Sequence, residues 1–210
     1  MRSISFIVFL FLSLGAGAQP AGYKKLADVN SFKTELSKAN AAVKNISSDF
    51  KQVKNLSLLA EKIHSKGKFY FMKPGMVRIE YTEPYYYLMV MNGSRMMVKD
   101  EQKSNKINAG NSKMMQSVNR VMVDCMQGAV FTNPDFKTTA YHDGNRYLLS
   151  LVPATADMKK LFEQIDVYMN KSGMDVAKLV LTETGGDFTV MEFYNTKHNL
   201  SLNETLFKIK

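Results

Sequence analysis

The chain has 210 residues, enough for one domain or at most two, with a core that needs no covalent staples. Its single cysteine, Cys125, excludes an internal disulfide framework. Lys and Arg outnumber Asp and Glu by 28 to 19, giving a formal charge of +9, but the cations are scattered and no nucleic-acid module is recognisable. That balance points to anionic lipid surfaces or acidic partners and away from nucleic acid.

At the N-terminus Arg2 is followed by an apolar run over residues 4–14 and then by Ala16-Gly17-Ala18. A basic n-region, a short h-region and a small-x-small site read as a signal peptide, residues 1–18, cleaved before Gln19. The run is shorter than the roughly 20 residues that span a bilayer. The expectation is an exported, periplasmic chain whose residues 19–210 form a single domain. No cysteine lies near the cleavage site, so no lipid anchor is expected there.

The first element after that site reads as a helix. Leu26, Val29, Phe32, Leu36, Ala39, Val43 and Ile46 recur at three- and four-residue steps, and Asp28 or Asn30 is placed to cap it. Strand-like runs follow at about 46–54, 63–73, 76–82, 85–91 and 95–99. Lys73-Pro74-Gly75, Glu83-Pro84 and Asn92-Gly93 mark the turns, the last a type I′ hairpin signal. Residues 111–127 then read as a helix with a stripe of Met114, Met115, Val118, Met122, Cys125 and Met126. Asn111 or Ser112 begins it and Gly128 ends it. A helix set into a run of hairpins has to lie across a face or a mouth of the sheet. Strands resume at about 136–142, 145–152, 162–169, 175–183 and 188–195, with a last short one at 206–209. A single antiparallel sheet of about eleven strands with few helices must curl, split or close.

Catalytic chemistry is not apparent. His64, His142 and His198 fall on different elements, none at metal-ligand spacing with another ligand. There is no Gly-rich phosphate loop and no nucleophile elbow. Asp49 with Glu61, or Glu80 with Glu83, read as solvated carboxylates, and Cys125 as a buried thiol. No cofactor or metal is expected, and the chain reads as a binding protein and not an enzyme.

The run Phe69-Tyr70-Phe71-Met72-Lys73-Pro74-Gly75-Met76-Val77-Arg78-Ile79-Glu80-Tyr81 alternates on both sides of its turn. By parity Phe69 and Phe71 share a side with Lys73, and Val77, Ile79 and Tyr81 continue that apolar wall. Leu88 and Val90 extend it on the next strand. Such a face serves either a container for apolar ligands or a filled β-sandwich core. Fifteen methionines and no tryptophan suit an apolar surface that repacks around irregular partners.

These residues are similar to a known family. Phe50-Lys51-Gln52, then Gly67-x-Phe69-x-Phe71-x-Lys73-Pro74-Gly75-x-Val77-Arg78-x-Glu80-Tyr81-x-x-Pro84, then Asn92-Gly93, resemble the LolA family of periplasmic lipoprotein carriers. Ile165-Asp166-x-Tyr168 and Leu179-x-Leu181-x-Glu183 continue the likeness. The resemblance implies a mainly β fold with α: a strongly curved antiparallel half-barrel covered by a lid of amphipathic helices. Its cavity would shelter the acyl chains of a lipoprotein. The implied lining is Phe50, Phe69, Phe71, Val77, Ile79 and Tyr81, joined by Leu88 and Val90. Met114, Met115, Val118 and Met122 would face it from the lid. The family's basic residue before the proline, usually Arg, hydrogen-bonds the lid from inside; here it is Lys73, a point charge without a planar fork, which implies a looser clamp. The usual aromatic after the proline is replaced by Ile79. The implied partners are acylated lipoproteins, an inner-membrane lipoprotein-releasing complex of the ABC type and an outer-membrane acceptor, with the carrier acting as a monomer. Two alternatives stay open: a carrier of another lipid or a glycolipid, and a regulator of the RseB type on the same scaffold. Such regulators usually carry a further domain, and this sequence stops at Lys210 without one.

Overall fold

The computed structural model describes residues 20–58, 61–93, 95–101, 104–108, 113–127 and 129–209. The expected signal peptide, the helix-starting residues Asn111 and Ser112, and Gly128 lie outside them. In chain order the elements are β1 (Lys24–Lys25), α1 (Val29–Ala41), β2 (Asn45–Asn55), β3 (Lys62–Met72), β4 (Met76–Glu83), β5 (Tyr87–Asn92), β6 (Arg95–Asp100) and β7 (Ser104–Asn108). There follow α2 (Lys113–Gln127), β8 (Phe136–His142), β9 (Arg146–Pro153), α3 (Ala156–Lys159), β10 (Phe162–Asn170), β11 (Val176–Glu183), β12 (Phe188–His198) and a 3-10 turn (Glu204–Phe207).

All the strands join one 12-stranded sheet in the order β1-β8-β9-β10-β11-β12-β2-β3-β4-β5-β6-β7. It is open and strongly curved, with β1 and β7 as its free edges. The order is a meander whose last strand, β12, returns to pair with β2 (Phe193 opposite Phe50). That return has a consequence for α2. β7 ends at one edge and β8 begins beside the other, so the connection carrying α2 must cross the width of the sheet. It crosses on one face, where Val121, Met122 and Cys125 of α2 and Phe32 and Leu36 of α1 are buried among sheet residues. Asp28 caps α1, its carboxylate accepting from the Ser31 amide at 2.9 Å.

Three sequence expectations need correction. The helix at the start stops at Ala41, so Val43 and Ile46 continue its apolar stripe outside it, Ile46 already in β2. The segment near residue 206 is not a strand. Asn203 accepts from the Thr205 amide at 2.9 Å and starts a 3-10 turn. The consecutive Leu206 and Phe207 both pack inward there, with Phe207 fully buried, a pairing that strand alternation cannot give. Third, Leu88 and Val90 are not on the wall of Val77, Ile79 and Tyr81. The β4–β5 register sets Tyr81 opposite Tyr87, Ile79 opposite Met89 and Val77 opposite Met91. Opposed residues share a face, so Met89 and Met91 continue the wall. Leu88 and Val90 face outward, where Phe207, Leu206 and Ile209 cover them. β5 is thus apolar on both faces because both are covered.

Candidate ligand-binding site

The helix-covered face is built from cross-strand rows. One row runs Phe50, Gly67, Tyr81, Tyr87 across β2 to β5. A second runs Ser48, Phe69, Ile79, Met89, and a third Ile46, Phe71, Val77, Met91. In the first row the glycine is structural. A β-carbon at Gly67 would stand 2.7 Å from the Phe50 ring and collide with the Glu80 carbonyl oxygen. Because it is absent, Phe50 lies across β3 and meets Tyr81 edge-on, with ring centroids 5.1 Å apart. Phe193 of β12 adds itself to Phe69 at 5.6 Å, and Tyr81 continues to Tyr87 at 5.8 Å. The aromatic row therefore runs unbroken along the face.

The structure brings most of the expected lining together. Phe50, Phe69, Phe71, Val77 and Met122 belong to one buried cluster, with Ile79, Tyr81, Met114 and Val118 packed at its margin. Of Met115 only the backbone, within α2, is described. Sequence reading missed Phe193, Val121, Met89 and Met91. For Phe193 the signal was strand parity in β12; for Met89 and Met91 it lay in the register across the Glu83-Pro84 turn, which local sequence does not fix.

This face is closely packed where α2 covers it. Beside Met122 a pocket of about 10 Å³, roughly room for one water, lies between Ile46, Ser48, Phe69, Asp175, Val176, Phe193 and Thr196. Towards the open ends of β3 and β4 the same face leaves its cover. There a groove of about 460 Å³ is lined by Ile63, Ser65, Tyr81, Glu83, Pro84, Tyr85 and Tyr87. Ile63, Tyr85 and Tyr87 are exposed in it, Tyr85 by 75%. Tyr81 borders both regions. Its hydroxyl donates to the Gln52 side-chain oxygen at 2.9 Å, and burial, with Tyr87 beside it, pushes its pKa up to about 12.

The helices are tied at one end. Lys73 Nζ, at the end of β3, donates to the Asn40 carbonyl at 2.7 Å. Asn40 Nδ2 in turn donates to the Cys125 carbonyl at 3.2 Å. Both acceptors lie in the last turns of α1 and α2, where carbonyls carry negative partial charge; the Asn40 carbonyl also accepts from the Val43 amide at 3.1 Å. A cation suits that place. Burial pushes the Cys125 thiol up, so it is a packing group. His64 is exposed on β3, and His198 instead pairs with Asp175 at 2.5 Å. Among the described residues no three His, Cys, Asp or Glu side chains converge as a metal would need, and no helix is long and apolar enough to cross a membrane.

The fold is an open curved sheet with residues of two helices buried on its apolar face. The chain belongs to the LolA family: the model of the outer membrane lipoprotein carrier protein LolA matches residues 41–210. Solved structures agree on the fold. A DUF1329 family protein from Desulfovibrio piger superposes with a TM-score of 0.50 at 14% identity, covering 85% of this chain and 95% of that one. A putative outer membrane lipoprotein-sorting protein domain from Vibrio parahaemolyticus gives 0.50 at 9% identity, covering 84% and 94%. An uncharacterised conserved protein from Thermus thermophilus gives 0.50 at 9%, covering 86% and 93%. At such identities the likeness is one of fold. No curated protein matches the sequence.

Proposed function

We propose that this protein is a periplasmic carrier that shelters the acyl chains of lipoproteins between its sheet and its helices. The observation that carries the reading is the continuity of one apolar face, closed under α2 at one end and open at Tyr81, Tyr85 and Tyr87 at the other. In this reading Phe50, Phe69, Phe71, Val77, Ile79 and Tyr81 form the wall. Met114, Val118 and Met122 form the underside of a lid, and Lys73 is its clamp. Acyl chains gain roughly 0.8 kcal/mol per buried methylene. A carrier must still let go, and filling its own cavity when empty weakens net binding, since cargo must displace Met122 and its neighbours. Flexible methionine suits a surface that packs in both states. Export through the signal peptide, residues 1–18, would place a single-domain monomer, 19–210, between the two membranes. It would receive cargo from an inner-membrane complex of the ABC type and pass it to an outer-membrane acceptor, without a cofactor.

The closely packed face is also what favours a second reading, a regulator of the RseB type that uses the scaffold as a surface and encloses nothing. Native mass spectrometry of the protein purified from its own periplasm separates the readings. An acylated N-terminal cysteine peptide or whole lipoprotein in the complex is the expected result. Free lipid or glycolipid alone, found reproducibly, makes it a lipid shuttle. No bound apolar species, with no uptake of a triacylated peptide, overturns the carrier.

A further inference from the structure

A polar cleft lies away from the apolar face, where two hairpin turns meet. The β8–β9 turn and the β10–β11 turn sit side by side because β9 pairs with β10, Arg146 opposite Asn170. The Lys171 amide donates to the Asn145 carbonyl at 3.1 Å and ties the turns together. Between them is a solvent-open cleft of about 460 Å³ lined by Gly144, Asn145, Arg146, Asn170, Lys171 and Ser172. The wall thus holds two cations, two carboxamides, a hydroxyl and a glycine, and no carboxylate. Gly144 has φ +102°, a left-handed conformation, and open space where a β-carbon would be, so the backbone there is accessible.

Each turn carries one acid, and both are engaged: Asp175 pairs with His198, and Asp143 is held within its own turn. Asp143 Oδ1 accepts from the Asn145 amide at 2.9 Å and the Arg146 amide at 2.7 Å, and its carboxylate also bonds the Tyr23 hydroxyl. It fixes the turn that presents Arg146. On the flank, β1 sets the exposed Lys24 and Lys25 opposite His142 and Tyr141, immediately before that turn. A guanidinium, an ammonium and neutral donors on one wall without a wall carboxylate make up the chemistry that recognises a phosphate-class oxyanion; in the unliganded cleft the Lys171 ammonium lies over the Tyr147 ring, 6.0 Å from its centroid.

We propose that this cleft binds the phosphate of an anionic phospholipid headgroup, and that the hairpin tips with Lys24 and Lys25 rest on a membrane surface while the apolar face stays free. Hairpin tips at one end of a sheet can meet a plane together. Basic side chains near an anionic surface each strengthen association about fivefold. The site is separate from the acyl-chain face and does not depend on that reading.

The test is co-sedimentation of the purified protein with phosphatidylglycerol-containing vesicles and with pure phosphatidylcholine vesicles at low salt. Arg146→Ala/Lys171→Ala is compared with Lys159→Ala/Lys160→Ala, which removes the same charge from exposed positions at the other end of the sheet. The first pair is expected to lose roughly 25-fold in affinity for the anionic vesicles, and the second far less. Amide shifts of Asn145, Lys171 and Ser172 on titrating inorganic phosphate are expected in the parent and lost in the first pair. Equal losses in both double variants would overturn a site in favour of diffuse charge. Phosphate shifts without vesicle binding would overturn the lipid source and leave a soluble anion. Neither shifts nor binding would overturn both parts. Uptake of a triacylated peptide, followed in parallel, reads the apolar face alone, so the two proposals fail separately.

Discussion

Lys73 Nζ lies 2.7 Å from the carbonyl oxygen of Asn40, joining the end of β3 to the last turn of α1. Asn40 hands the connection on to Cys125 in α2. Lys73→Ala removes a charged donor from the end of α1, and with it the support of the residue that carries the link on to α2. We expect a loss of about 1–2 kcal/mol in urea unfolding and faster amide exchange in the C-terminal turns of α1 and α2, with the sheet unchanged. Lys73→Arg should keep both near the parent values. Unaltered exchange in Lys73→Ala would remove the clamp from the proposed lid.

Gly67 holds the place where Phe50 crosses to Tyr81. Gly67→Ala would push a methyl group into the Phe50 ring and the Glu80 carbonyl oxygen together. The expected cost is about 3 kcal/mol or more, since overpacking here also meets backbone. Combining it with Phe50→Leu should recover only part of the loss, because the carbonyl remains. Full recovery would show that the ring alone sets the need for glycine.

How far the sequence carried the fold depended on what each signal measures. Alternation marked the ten strands between 46 and 195 that it listed, since one covered face imposes a period of two. It missed β1, two residues long, and β7, whose Ser-Asn-Lys-Ile-Asn carries one apolar side chain. It assigned the wrong face to Leu88 and Val90 because β5 is covered on both sides, and the register comes from a turn whose geometry is not local. That α2 lies across a face of the sheet followed from a helix interrupting hairpins. The close packing beneath it did not, because residual volume is set by how α2 seats against strands far away in sequence. The anion cleft was unreadable for the same reason: Arg146 and Lys171 meet only through the β9–β10 register.

Tyr81 gives a pH dependence with a definite sign. Its folded pKa is pushed up to about 12 against 10.0 for the free group. Between those values the folded state holds a proton that the unfolded state releases, so stability falls as pH rises through this window and is fully present below it. The expected loss attributable to Tyr81 by pH 12 is about 2 kcal/mol. Tyr23 is raised similarly, so the quantity to read is the difference between parent and Tyr81→Phe in urea midpoints from pH 9 to 12. The variant should fall less steeply. Parallel curves would mean that Tyr81 is hydrated in solution and that the covered face opens at its Tyr81 border.

Phe207 separates the two faces experimentally. It is fully buried on the outer side, over Leu88 and Val90, while Arg78 donates to the neighbouring Leu206 carbonyl at 3.1 Å and holds the segment down. Phe207→Ala should cost about 3–5 kcal/mol by urea titration, the usual penalty for emptying a packed phenylalanine site. Acyl-peptide uptake per folded molecule should stay unchanged, because none of its neighbours borders the inner wall. Met122→Ala makes the opposite expectation. It empties space under α2 beside Phe69 and Phe193, so stability should fall by about 2–4 kcal/mol while uptake rises, since cargo then displaces less of the protein itself. If Met122→Ala lowered stability and left uptake unchanged, the inner face would be an ordinary core, and the open groove at Tyr85 and Tyr87 would have to hold any apolar ligand by itself.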